Sequence, residues 1–190
     1  PFVECGNATI ADGTTTNEYV PFYGYWADSY SSHSQSIYPA SLLTDMVGAT
    51  ISSITYYTST AQNKSWEMDI KIGETTESTL GSSFLSTDGM TAVYNGTVSF
   101  NNTTITLTFA EPYVYNGGNL IIDWNQASNG QYAHIYFYGS NVGSSKYEGY
   151  SSGTTSFVPK VAFAYCKEAP ACAPVEFTID DIDYNVATAN

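Results

Sequence analysis

The chain has 190 residues with five basic side chains, all lysine, against eighteen Asp and Glu, giving a formal charge of −13 and a pI near 4.1. Phosphate neutralisation and bidentate base reading rely on clustered Lys and Arg, so these counts argue against nucleic acid, anionic lipid surfaces and arginine-clamped polyphosphates as partners. Hydrophobic residues make up 43% and aromatic residues 15%, too much for a disordered acidic tail, while Ser and Thr supply the polarity that charge does not.

The opening Pro1-Phe2-Val3-Glu4 contains neither an initiator methionine nor a signal peptide, and the expectation is a mature or excised fragment. No run of about 18 apolar residues occurs, so no membrane insertion is expected. Weak strand signals lie near 7–11, 18–22, 34–38 and 49–58, with a short helical segment near 39–46. Period-two alternation is clean in 66–72, where Trp66, Met68, Ile70 and Ile72 oppose Glu67, Asp69 and Lys71. One or two helical turns are expected around 75–85, then a strand near 92–100. Alternation returns in Ile105/Leu107/Phe109 and Leu120/Ile122/Trp124, which makes Trp66 and Trp124 core residues. Ala133, Ile135 and Phe137 then alternate with Tyr132, His134, Tyr136 and Tyr138, and Val161, Phe163 and Tyr165 form a last inward set. Turns are expected at Asp12-Gly13, Asp88-Gly89, Asn95-Gly96, Asn116-Gly117 and Asn129-Gly130, with Asn95-Gly96 alternatively a bulge inside its strand.

About ten short half-buried strands imply an all-β fold, an antiparallel two-sheet sandwich of jelly-roll type over residues 1–166. Residues 167–174 carry two prolines and read as a linker. Residues 175–190 read as a single strand and an acidic tail: the start of a following module, a strand completing this sheet, or one added to a neighbour's sheet. Three cysteines cannot all pair within the chain. Cys5 and Cys166 would meet if the first and last strands lie side by side; a short Cys166–Cys172 loop and three free thiols are the alternatives. The cysteines and two scattered histidines make no zinc spacing.

Catalytic patterns are thin. Glu67-Met68-Asp69 resembles the start of the Glu-x-Asp-x-x-Glu string of jelly-roll glycosidases, but Lys71 and Ile72 occupy the places of the second glutamate, and an ordinary solvent-facing strand explains the rest. His33 in a Ser-rich loop and His134 on a strand have no nucleophile elbow near them. No enzyme is expected. Asp12, Asp28, Asp45 and the Asp180/Asp181/Asp183 group offer oxygen ligands for a structural calcium without the spacing of a calcium loop, so no cofactor or metal is expected. Five Asn-x-Ser/Thr sequons would suggest glycosylation in a eukaryotic secreted protein, but in a chain this rich in Ser, Thr and Asn chance explains most of them.

Two aromatic groups carry the binding expectation. Tyr23, Tyr25, Trp26, Asp28 and Tyr30 lie in a loop where ring faces can stack on sugars while carboxylates and amides take hydroxyls. Tyr132, His134, Tyr136 and Tyr138 stripe one strand face, followed by Tyr147 and Tyr150. Tyrosine also serves as surface cover on strands without binding anything, which is the competing reading.

Ala8–Gly24, Gln35–Leu43, Gly48–Tyr57 and Phe109–Ile122 together resemble a β-sandwich module of secreted and cell-surface proteins of Bacteroidetes, which often neighbours fibronectin type III modules. Pro174–Ile179 looks like the opening strand of such a neighbour. The resemblance implies an extracellular or cell-surface, non-catalytic adhesion, binding or spacer role, with a glycan, an extracellular protein or neighbouring modules as partners. A subunit of a surface filament that self-assembles through strand 175–180 is the alternative, and a divergent glycosidase a lesser one.

Overall fold

The computed structural model describes residues 2–169, and the expectations placed on 170–190, including Cys172 and strand 175–180, lie outside them. The described chain is all-β, with thirteen strands and two 3-10 turns. In order these are β1 (Val3–Ile10), β2 (Thr15–Asn17), β3 (His33–Tyr38), the 3-10 turns Ala40–Leu42 and Thr44–Met46, β4 (Thr50–Tyr57), β5 (Ser65–Thr75), β6 (Thr91–Ser99) and β7 (Thr104–Val114). There follow β8 (Asn119–Gln126), β9 (Phe137–Ser140), β10 (Ser144–Glu148), β11 (Gly153–Thr155), β12 (Val158–Pro159) and β13 (Val161–Glu168).

One sheet has the order β1-β13-β4-β7 and the facing one β11-β10-β3-β8-β5-β6, all antiparallel. Counting only the eight long crossing strands in chain order, the sheets read 1-8-3-6 and 2-7-4-5, the nested Greek keys of a jelly roll. A small sheet β12-β9-β2 closes one end.

Alternation decides which side chains enter the sandwich. Ile51, Ile54 and Tyr56 of β4, Trp66, Met68, Ile70 and Ile72 of β5, and Leu120, Ile122 and Trp124 of β8 are buried in one continuous core. At about 25 cal/mol per Å² of apolar surface, this burial is the main driving force for the fold. Buried polar tips find partners: the Trp124 indole donates to the Tyr56 hydroxyl at 3.0 Å, and the Tyr38 hydroxyl to the Pro159 carbonyl at 2.9 Å.

Two expected elements differ. No strand runs over 18–22, because Asn17 Oδ1 accepts the N–H groups of Tyr19 and Val20 and turns the chain after β2. No helix forms at 75–85, where side chains take the backbone donors: Ser144 Oγ accepts from Leu80 N–H and Gln35 Oε1 from Leu85 N–H, each at 2.8 Å. This loop instead lays Leu80, Leu85 and Met90 on Ile37 and Ile121, on the outer face of the larger sheet. Of the two placements expected for Asn95-Gly96, it takes the one inside its strand: it lies in β6 opposite Asp69 and Met68, with the register shift of that pair falling at Ile70/Lys71. The last strand, β13, runs through Glu168, two residues beyond the expected domain end at 166.

The Asn116-Gly117 turn joins β7 to β8 and is held by Glu74 of β5. Burial alone raises this carboxyl's pKa, but N–H groups of Asn116 and Gly118, the Asn116 amide and the Tyr113 hydroxyl hold it below the usual range.

Cys5 and Cys166 are direct cross-strand partners of β1 and β13 and are joined by a disulfide. The bridge closes a loop with a sequence separation of 161 residues, for which chain entropy sets a ceiling of about 5 kcal/mol. Cys5→Ser is expected to lower Tm by roughly 5–15 °C in a thermal scan. Dithiothreitol is expected to reproduce that loss in the native protein and to leave the variant unchanged.

Candidate functional site

Phe22 organises the site. Its buried ring packs on Trp66 at 5.1 Å, Trp124 at 5.5 Å and Phe137 at 5.3 Å between centroids. From there residues 23–30 run across the end of the sandwich and pair loosely with residues 126–135. Ala133 N–H donates to the Gly24 carbonyl at 2.9 Å, Gly130 N–H to the Ala27 carbonyl at 2.7 Å, and the Gln126 side chain to the same Ala27 carbonyl at 3.0 Å. A Cβ on Gly24 would stand 2.5 Å from Ile135 Cδ1 and 2.7 Å from the Ala133 carbonyl, so only glycine permits this approach.

The segment 132–136 is not the expected strand. Strand pairing begins only at Phe137, and the preceding residues bridge from one sheet to the other with isolated hydrogen bonds. Their alternation persists nonetheless: Ala133, Ile135 and Phe137 are buried while Tyr132, His134 and Tyr136 face out. His33 opens β3 rather than lying in a loop.

The two aromatic groups therefore merge. Tyr25 contacts His134 at 3.9 Å and Tyr132 at 4.8 Å, and Tyr132 meets Trp26 edge-on at 5.7 Å. Tyr150 continues the surface, 6.1 Å from Trp26 and 5.3 Å from Tyr30. Tyr23 links Tyr150 to Tyr19, which stacks on Tyr147 at 4.6 Å. Trp26 (36%), Tyr30 (49%), Tyr132 (41%) and Tyr150 (53%) keep large solvent-exposed faces. Edge-on and offset pairs of this kind contribute about 0.5–1.5 kcal/mol each, so the rings brace one another in place.

Three expected members differ. Tyr23 is buried and forms the base of the surface rather than part of its face. Tyr136 and Tyr138 stand apart: Tyr138 belongs to β9 opposite Thr16, and neither ring joins the aromatic contacts. Asp28 is exposed on the loop beside Tyr132. Tyr19 was not legible as a member, since only the Asn17 turn aims it at Tyr147.

The electrostatic setting is acidic. Burial, with Glu18 and Tyr19 adding, pushes the Tyr23 phenol up to about 12. Hydrogen bonding with Tyr25, followed by desolvation and the charge of Asp28, raises Tyr132 to about 12 as well. Lys146 of β10 is paired with Glu148 at 2.8 Å. Among the described residues no three metal-ligating side chains converge. No helix there is long and apolar enough to cross a membrane. Compared with family models, curated proteins and solved structures, the chain matches none.

Gly24→Ala is expected to destabilise the protein by about 1–3 kcal/mol through overpacking against Ile135, read as a lower urea midpoint with unchanged m-value. A phenol whose pKa rises on folding stabilises the folded state fully below its unfolded value near 10 and loses that contribution as pH climbs through the folded value. Stability is therefore expected to stay flat with respect to the tyrosines up to about pH 10 and to fall between about 10 and 12, followed by circular dichroism alongside tyrosinate absorbance.

Proposed function

We propose that this chain is a non-catalytic, extracellular β-sandwich module that binds a neutral glycan on the surface formed by Trp26, Tyr30, Tyr132 and Tyr150. The observation that carries this reading is the merging of two separate sequence segments into one exposed, mutually braced aromatic surface. Such faces stack on the C–H surfaces of pyranose rings, and their phenol and indole groups reach sugar hydroxyls. Asp28 and Glu18 on the flank repel sialylated and sulfated glycans, which narrows the ligand to uncharged sugars.

The extracellular setting is supported by the Cys5–Cys166 bridge, since such bonds persist in oxidising compartments. The quoted segments that resemble Bacteroidetes surface modules agree with it. A non-catalytic role is supported by the state of the Glu67/Asp69 pair on β5. The Thr97 hydroxyl donates to Glu67 at 2.5 Å, and the Asn95 amide donates to Asp69, so each carboxylate is engaged by its β6 neighbour.

A glycan array followed by calorimetry tests the proposal. Binding to neutral oligosaccharides is expected, and Trp26→Ala or Tyr132→Ala is expected to weaken it about tenfold or more, since losing one stacked ring removes at least about 1.4 kcal/mol. Each substitution also removes contacts with neighbouring rings, so Tm is expected to fall by several degrees while the protein stays folded at the assay temperature. Absence of binding across neutral glycans, or binding indifferent to both substitutions, overturns the reading.

A further inference from the structure

The outer face of the larger sheet is divided in two by chemistry. Its lower half, around Ile37 and Ile121, is apolar and is covered by the loop 76–90. Its upper half is polar and stays open. There the register places His33 (β3), Asn125 (β8), Asp69 (β5) and Asn95 (β6) in one cross-strand row, with Gln35, Asp123 and Lys71 in the row below. The covering loop stops at this boundary: Phe84 lies on the His33 ring at 3.8 Å, and Thr87 Oγ1 accepts from Lys71 Nζ at 3.2 Å. What remains is a groove of about 310 Å³, walled by Thr87 on one side and Tyr94 on the other. That volume lies at the small end of ligand sites, which run from about 300 to 1,000 Å³.

The polar groups on its floor are fixed before any ligand arrives. Asp123 is 3% exposed, and its Oδ2 accepts from His33 Nε2 at 2.7 Å and from Gln35 Nε2 at 2.9 Å. Gln35 is itself clamped to the Leu85 backbone through both ends of its amide. The pleat holds Asn125 and Asp69 side by side, with the Asn95 amide donating to Asp69. Planar amides and carboxylates spaced along one cross-strand row present alternating donors and acceptors, which is the complement of neighbouring hydroxyls on a ring. A cation is disfavoured because Lys71 stands in the same groove and no three metal-ligating side chains converge among the described residues. An anion is disfavoured by the two carboxylates. A wholly apolar ligand is disfavoured because it would leave the amides and carboxylates of the floor without partners.

We propose that this groove is a second binding site, separate from the aromatic surface, that takes one neutral sugar residue through its vicinal hydroxyls. Asp69, Asn125 and Asn95 contact the hydroxyls, and Tyr94 bounds the ring. The inference shares its ligand class with the proposed function but none of its residues, so either stands without the other.

The isotope-labelled 190-residue chain is titrated with glucose, galactose, mannose and N-acetylglucosamine, each to about 50 mM, since single-sugar affinities near the millimolar range are to be read. The expected result is saturable shifts of the His33, Asp69, Asn95 and Asn125 amides with at least one sugar. Asn125→Ala and Asp69→Asn are expected to weaken that site about tenfold while leaving shifts at Trp26 and Tyr132 unchanged. Trp26→Ala is expected to do the converse. Shifts confined to the aromatic surface overturn the groove site and leave the proposed function standing. Shifts confined to the groove do the reverse. Silence at both sites overturns both. Groove shifts produced by calcium chloride and by no sugar also overturn the inference, as does a groove response that survives both groove substitutions. A dispersed spectrum for each variant establishes that loss of response is not loss of fold.

Discussion

Everything at the aromatic end of the molecule depends on the burial of Phe22 among Trp66, Trp124 and Phe137. Two sheets packed face to face leave their ends open, and here an aromatic plug drawn from outside the long strands closes one. The plug fixes the path of residues 23–30, and the path fixes which side chains meet residues 126–135. Trp26 and Tyr132 are far apart in sequence and come together because Phe22 and Ala133 are anchored beneath them. Core packing and surface chemistry are thus two faces of the same pair of segments.

Much of the fold was legible because the strands are half-buried and their alternation is strict. Trp66-Glu67-Met68-Asp69-Ile70 could face only one way once its apolar set was placed inward, and β5 is oriented so. The jelly-roll class followed from strand number and turn chemistry. Less legible were places where side chains capture backbone donors from a distance. Ser144 and Gln35 reach loop residues 64 and 50 positions away, and no local pattern encodes that. The segment 132–136 is instructive in another way: its period of two was real, yet alternation reports only an extended chain with one buried side, and ladder pairing is a separate fact.

The site shows the same division. The loop at Tyr25 and Trp26 and the stripe at Tyr132 and His134 were both visible as aromatic density, but their union was not, because it depends on Gly24 tolerating the close approach of Ile135. Tyr23 read as a surface ring from its neighbours and is buried, since Tyr19, Tyr25 and Tyr150 close over it. The polar groove needed cross-strand register to be seen at all. His33, Asn125, Asp69 and Asn95 are spread over four strands, and only the ladder sets them in a row.

The disulfide joins strands whose outer ends lie together, with Val3 opposite Glu168 and Ala169 N–H donating to the Phe2 carbonyl. If tension were applied between those ends, as when a module is pulled by what flanks it, the load would pass from the first strand to the last through the sulfur bridge within a few residues. The sheets, the aromatic surface and the groove all lie on the slack side of that shortcut. A surface mounted this way would keep its shape under a load applied at those ends.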